Sequence, residues 1–281
     1  MHRYTPRLAN ERAMAHRKMR GRKERLKNDS IRRYVVSHLK RRWSPEQISR
    51  RMKIDLGETI SHEAIYQFVY ARVSKASGLI YSYQEDLRSY LRRRRKRRIH
   101  KGMRSCGRIP SFRGVSIDLR PIIVAQRTRV GDWESDTVES INHKPGINTC
   151  VERKTGFVLM TKLQDRKSHA TMKAIEMRMN NFPDSAKYTI TFDNGFENRD
   201  WKDLEKNSGL RAYFAHQYHS WERGTNENTN GLIRDYFPKK TDFTMIREEE
   251  LSFVERELNA RPRKRLGWKT PLEVMSVALQ G

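Results

Sequence analysis

Two hydrophobic periods run through the chain, and one gives way to the other near residue 131. Upstream, apolar positions recur at helical spacing: Ile31, Tyr34, Val35, His38 and Leu39 fall on one face of a helix that Ser30 is expected to cap. In Trp43-Ser44-Pro45-Glu46-Gln47, Ser44 is a good N-cap, Pro45 suits the first helical position and Gln47 completes a capping box. A second helix therefore starts there, carries Ile48 and Met52 inward and ends near Gly57. Ser61 caps a third, which aligns Ala64, Ile65, Phe68 and Val69. Three short helices with a turn between the last two predict an all-α helix-turn-helix domain over residues 29–73.

Downstream the period shortens to two. Asp132, Glu134 and Asp136 share one strand face with Val138, while Trp133 and Thr137 take the other. Three carboxylates on one face repel one another unless cations meet them. Asn148–Val151 and Gly156–Leu163 then read as strands around the turn Arg153-Lys154-Thr155-Gly156. Ser168 is expected to cap a helix holding Met172, Ile175 and Met179, which Pro183 closes off. The run from Tyr188 delivers Asp193 to a sheet edge, where Asn194-Gly195 breaks it. A helix through Trp201 and Leu204 ends at Gly209, and a short strand follows at Ala212–Ala215. Beyond it Leu232, Ile233, Tyr236 and Phe237 form an apolar helix face, with Glu227, Asn230, Gly231 and Arg234 on a polar one. Glu248–Asn259 is a further helix, and Trp268-Lys-Thr-Pro271 caps a last one. The order predicts an α/β domain with one mixed sheet over residues 131–281.

Charge divides the chain at the same place. Of the net +26, residues 1–130 hold 35 Lys and Arg against 10 Asp and Glu, whereas residues 131–281 hold 24 against 23. A polyanion is the expected partner, because each phosphate neutralised releases condensed counterions. Residues 1–28 form a basic arm, or a helix that orders on DNA, and residues 74–130 a basic linker. Within that linker Arg92, Arg93, Arg94, Arg95, Lys96, Arg97 and Arg98 cannot pack together and are expected to track phosphates; a nuclear-import signal is the eukaryotic alternative. In the helix-turn-helix, Ser61, His62, Glu63 and Tyr66-Gln67 are placed to face the major groove, although for His62 an ordinary surface position fits equally well. No apolar run reaches 18 residues, so the cytosol is the default compartment, and Cys106 and Cys150 suit neither a disulfide framework nor a zinc knuckle.

The carboxylates carry the candidate chemistry. Asp136 lies on the first strand of the α/β domain and Asp193 at a later strand end. The third acid is either Glu222 or Glu227. Glu222 precedes Gly224, a poor interior residue for a helix that must hold a ligand rigidly, whereas Glu227 shares a helix face with Asn230 and Arg234 and follows Asp193 after 33 intervening residues. Glu227 is the choice, with Asn230 and Arg234 expected to orient it or hold a phosphate.

The acids Asp136, Asp193 and Glu227 and the words around them resemble the DDE transposases and retroviral integrases. Gly131-Asp-Trp-Glu-Ser-Asp136, Val151-Glu-Arg-Lys154, Thr191-Phe-Asp-Asn-Gly195, Ser220-Trp-Glu-Arg-Gly-Thr-Asn-Glu-Asn-Thr-Asn-Gly231 and Asn259-Ala-Arg-Pro-Arg-Lys-Arg-Leu-Gly-Trp268 together resemble transposases of the insertion sequence 30 family over roughly residues 31–274. The resemblance implies a ribonuclease H-like, integrase-type catalytic domain. Members of that family usually carry another helix-turn-helix before the one predicted here, and this chain is expected to begin after it. The implied activity is cleavage at insertion-element ends, followed by attack of the freed 3′-hydroxyl on target DNA. Two Mg²⁺ ions about 3.5–4 Å apart, or Mn²⁺ in their place, would be held by Asp136, Asp193 and Glu227. Double-stranded DNA, as terminal inverted repeats and as target, is the implied partner; pairing two ends implies at least a homodimer, and the setting is the bacterial cytoplasm at the nucleoid. Two other readings are a non-catalytic DNA-binding remnant or repressor that uses the basic half alone, and an unrelated nuclease of the same fold.

Overall fold

The computed structural model describes residues 6–19, 26, 28–71, 85–91, 114–216 and 219–280. The Arg92–Arg98 run and Cys106 lie outside the described residues, as does the side chain of Trp221. The chain divides into two compact units, Met1–Arg97 and Arg98–Gly281.

The first unit holds helices α1 (Pro6–Met19), α2 (Asp29–Lys40), α3 (Pro45–Leu56) and α4 (His62–Ala71), then a 3₁₀ turn at Leu87–Tyr90. The cap of α2 is Asn28, not Ser30: the Asn28 side chain accepts from the Ser30 backbone at 2.9 Å, so Ser30 is already inside the helix. At α3 the Ser44–Gln47 capping box closes in both directions, at 3.2 and 2.8 Å, and Gly57 ends the helix in the left-handed region at φ 69°. Ser61 Oγ accepts from Ala64 N at 3.1 Å to start α4. Val35, Leu39, Trp43, Ile48, Met52, Ile65 and Phe68 bury together with Leu87 and Leu91. The helical periodicity is therefore satisfied within this unit.

The second unit is built on a five-stranded sheet in the order β3-β2-β1-β4-β5. Its strands are β1 (Asp132–Val138), β2 (Ile147–Glu152), β3 (Val158–Lys162), β4 (Thr189–Phe192) and β5 (Arg211–Phe214). β1 pairs antiparallel with β2, with Asp136 opposite Thr149, and parallel with β4, with Glu134 opposite Thr191. An antiparallel meander whose first strand becomes central when two parallel crossover strands join it is the ribonuclease H-like arrangement. Gly131 turns into β1 at φ 105°, and a Cβ there would meet the Ala186 backbone carbon at 2.8 Å, so both conformation and space require glycine.

The two faces of the sheet bury different helices. α5 (Ile122–Gln126) precedes the sheet; α6 (Ser168–Met179), α7 (Trp201–Ser208) and α10 (Pro271–Gln280) send Met172, Ile175, Leu204 and Met275 against Trp133, Ile190 and Phe192. Across the sheet, α8 (Gly224–Tyr236) and α9 (Glu248–Asn259) pack Leu232, Ile233, Val254 and Leu258 on Val138, Val151 and Met160. Trp133 is fully buried and donates its indole N–H to Ala186 O at 2.9 Å, which makes it a core residue. Ser168 does not cap α6. Lys167 occupies the cap without a side-chain bond, and the Ser168 hydroxyl instead accepts from Asp200 N at 2.8 Å, tying α6 to the segment that enters α7. Among the described residues no helix is long and apolar enough to cross a membrane. Cys150 is a free thiol that burial pushes up to about 12.

Candidate active site

The three acids on one face of β1 each meet an arginine, which resolves their mutual repulsion. Asp132 is fully buried and takes both its oxygens to Arg129 at 2.9 Å, with the Thr189 hydroxyl donating to Oδ1 at 2.8 Å. Glu134 is also fully buried; Arg153 Nη1 meets Oε1, and the Asn226 backbone N–H donates to Oε2 at 2.9 Å. That second bond pins the first turn of α8 to the central strand, where a helix N-terminus favours negative charge. Removing one partner of a pair buried on both sides, as Arg153–Glu134 is, costs about 3–5 kcal/mol, so Glu134 is fastened as a structural group, and Asp132 is held by its contacts to Arg129 and Thr189. Only Asp136, nearest the strand end, keeps part of its side chain exposed, about a quarter (23%).

Asp136 and Asp193 share one cation. Arg223 Nη1 lies 3.2 Å from Asp136 Oδ1 and Nη2 lies 3.2 Å from Asp193 Oδ2. Asn230 Nδ2 donates to Asp136 Oδ2 at 2.6 Å. Asp193 Oδ1 accepts from Gly195 N at 3.0 Å and from Asn198 Nδ2 at 2.9 Å, so the Asn194-Gly195 break folds back to orient the carboxylate it follows. Burial pushes the Asp136 carboxyl up from its ordinary value; the Arg223 guanidinium pulls it down and the Asp193 charge pushes it up again. Burial disfavours the charge on Arg223, but the two carboxylates more than offset it and hold its pKa above the ordinary value.

Glu227 lies exposed in the first turn of α8, one turn before Asn230. Among the described residues Asp136, Asp193 and Glu227 do not close into a three-ligand cluster; the group that does is His216, His219 and Glu222, whose ligand atoms lie within 4.8 Å of one another. The Arg223 guanidinium stands between Asp136 and Asp193, and Glu227 is exposed on α8. The rival acid Glu222 is committed elsewhere, with Oε1 at 2.8 Å from His216 Nδ1 and 3.3 Å from His219 Nδ1. Arg234 places its guanidinium on the carbonyls of Glu139 and Pro238, at 3.0 and 3.3 Å, rather than on an acid.

A cleft of about 300 Å³ opens over Asp136 and Asp193, lined also by Glu197, Arg166, Lys144 and His143. Burial pushes the Glu197 carboxyl up, and the Asp193 and Asp136 charges add to the rise. Anionic carboxylates at the floor with Arg166 and Lys144 beside them suit a phosphodiester bound through cations. The donors are hard oxygens already sharing one positive group, so they fit Mg²⁺ or Mn²⁺. Sequence reasoning missed Arg223, Glu197, Arg166 and Lys144. Arg223, inside the Ser220–Gly231 motif, and Glu197, two residues past the Asn194-Gly195 break, had a local signal.

In the first unit Ser61, His62 and Glu63 are exposed at the start of α4, while Gln67 is half-buried and donates its side-chain amide to Glu63 Oε1 at 3.1 Å.

No protein-family model matches the chain. It is 37% identical over 272 residues to the transposase for insertion sequence element IS4351 of Bacteroides fragilis, spanning 96% of this chain and 80% of that protein. It is 34% identical over 252 residues to the transposase for IS1086 of Cupriavidus metallidurans, spanning 87% and 72%. With transposase InsI for IS30A of Escherichia coli the identity is 36% over 252 residues, spanning 88% and 65%. Among solved structures, the catalytic core domain of BIV integrase is similar at TM-score 0.42 and 20% identity, over 53% of this chain and 95% of that one. At that distance the ribonuclease H-like assignment stands on the strand order itself. The relatives disfavour a repressor or remnant. The chain belongs to the IS30 family of DNA transposases.

Proposed function

We propose that this transposase cleaves insertion-element ends and joins the freed 3′-hydroxyl to target DNA at the cleft over Asp136 and Asp193, with Glu227 as the third acid. The observation that carries the reading is the single guanidinium of Arg223 spanning Asp136 and Asp193, at 3.2 Å from each. Two side chains from the ends of adjacent parallel strands thereby share one positive charge, which is what a divalent site between them requires. Asp136, Asp193 and Glu227 would hold Mg²⁺, with Mn²⁺ as a substitute. Bound there, the metal would supply Lewis-acid charge that activates the attacking oxygen and neutralises the leaving one.

The chain's own groups do the rest. Asn230 fixes one Asp136 oxygen from α8, the helix that carries Glu227. Gly195 N and Asn198 fix Asp193, leaving its Oδ2 for the shared cation. Arg166 and Lys144 line the cleft where the phosphates would lie. In each step an incoming oxygen, first of water and then of the 3′-hydroxyl, forms a P–O bond as the P–O bond to the departing oxygen breaks. The departing oxygen leaves as a hydroxyl.

Binding of double-stranded DNA, as element ends and as target, belongs to the basic N-terminal half. Ser61, His62, Glu63 and Gln67 would read bases, and Arg92–Arg98 would hold phosphates; the paired ends call for at least a dimer. A strand-transfer assay on an end-containing duplex with Mg²⁺ tests the reading: joined products support it, cleavage without joining favours a nuclease, and binding alone favours a repressor.

A further inference from the structure

Among the described residues, the metal-ligating side chains whose ligand atoms converge are His216, His219 and Glu222, not the acidic pair. His219 N bonds to His216 O at 3.2 Å and Glu222 N to His219 O at 3.0 Å. Between β5 and α8 the ligand atoms of residues 216, 219 and 222 come within 4.8 Å of one another. Glu222 Oε1 meets both imidazoles, His216 Nδ1 at 2.8 Å and His219 Nδ1 at 3.3 Å, while Oε2 accepts from the His216 backbone N–H at 2.8 Å.

A second carboxylate backs the cluster. Ser116 bridges to Phe214 beside the end of β5, and Asp118 follows it with Oδ2 at 3.0 Å from His216 Nε2 and 2.7 Å from the Ser116 hydroxyl. Both ring nitrogens of His216 face carboxylate oxygens, so a positive charge belongs between His216 and Glu222, carried either by a second ring proton or by a metal ion that takes its place. A ligating histidine whose other ring N–H is held by a carboxylate is the usual outer support of zinc sites.

We propose that His216, His219 and Glu222 form a zinc site, with Asp118 orienting His216. Two imidazoles and one carboxylate match the borderline preference of Zn²⁺, and metal–ligand bonds of about 2.0–2.2 Å put neighbouring tetrahedral ligands about 3.4 Å apart. The observed 2.8 and 3.3 Å lie near that spacing. The fourth position is left to water. Because Arg223 is the next residue after Glu222, the ion would fasten the segment that delivers the guanidinium to Asp136 and Asp193 and starts α8.

The test uses the full chain, stripped with chelator and titrated with ZnCl₂ by calorimetry in excess Mg²⁺. The expected result is a Zn²⁺ equivalent that Mg²⁺ does not displace. Its affinity falls at least tenfold in His216→Ala and His219→Gln and about tenfold in Asp118→Asn, and it is unchanged in Asp136→Asn. Co²⁺ bound in place of zinc should give visible absorption that the two histidine variants lose. Circular dichroism confirms folding, and if His216→Ala fails to fold, His219→Gln decides. No zinc uptake by the wild type, or uptake unaltered in the histidine variants, overturns the proposal and leaves a hydrogen-bonded cluster.

Discussion

Asn230 on α8 donates to Asp136 on β1 at 2.6 Å, joining the helix that carries Glu227 to the strand that carries the first acid. Helix and strand are thus registered at the cleft by one amide. Asn230→Ala removes the donor without touching either acid, so turnover in the Mg²⁺ strand-transfer assay should fall about 10- to 100-fold, as for outer groups that orient metal ligands. Binding to end-containing duplex should stay within a factor of two or so. Unchanged turnover would deny Asn230 an orienting role.

The Arg223 guanidinium lies between Asp136 and Asp193, at 3.2 Å from each. In Arg223→Gln the two carboxylates lose their shared positive charge and repel each other, so the metal-free protein should melt at a lower temperature than the wild type. Mg²⁺ should then raise the melting temperature of the variant more than that of the wild type, because no guanidinium has to be displaced. Equal Mg²⁺ responses would show that Arg223 and the metal do not compete.

Burial raises the folded-state pKa of Asp136, so the folded chain holds that proton more tightly than the unfolded chain does. Protonation therefore favours folding: this contribution is fully present below the unfolded carboxyl value of about 3.9 and is lost as pH rises through the folded value. At neutral pH in chelator the ionised Asp136 is a cost to the fold. Asp136→Asn should accordingly raise thermal stability at pH 7 while abolishing strand transfer, and the gain should shrink as pH is lowered toward 4. A variant less stable than wild type at pH 7 would show that the Arg223 contact outweighs the burial.

Much of this arrangement was legible in the sequence, and the exceptions have physical causes. The alternation in β1 placed Asp132, Glu134 and Asp136 on one face and anticipated that cations must meet them; it had no means of naming Arg153 and Arg223, which come from other segments, or of choosing Arg129, three residues before Asp132, among the nearby cations. Ser44, Gln47, Gly57 and Gly209 act locally, so their roles could be read directly. Ser30 and Ser168 could not. Asn28 competes for the first cap from two residues upstream, and Ser168 is taken by Asp200, 32 residues away. His216, His219 and Glu222 recur every three residues, a spacing that matches neither the helical nor the strand period.

The charge distribution makes a separate claim. With 35 of the 59 Lys and Arg in residues 1–130, affinity of the full chain for duplex DNA should fall steeply and linearly in log K against log[salt]. Replacing Arg92–Arg98 by Ser should weaken all sequences alike and flatten the slope, by about one unit for each phosphate no longer neutralised. Gln67→Ala or His62→Ala should instead relax sequence preference at near-constant slope. A salt-independent affinity would contradict the electrostatic account.

The choice between Glu227 and Glu222 reaches furthest into the account. Glu222 is engaged by His216 and His219, while Glu227 stands free of them on the helix that Asn230 and Glu134 register against β1. The decisive measurement is Mg²⁺-dependent strand transfer by Glu227→Gln and Glu222→Gln side by side, with DNA binding measured on the same preparations. The account predicts that Glu227→Gln binds DNA and joins nothing, as do Asp136→Asn and Asp193→Asn, whereas Glu222→Gln retains measurable joining. Normal joining by Glu227→Gln, or complete loss confined to Glu222→Gln, would contradict it.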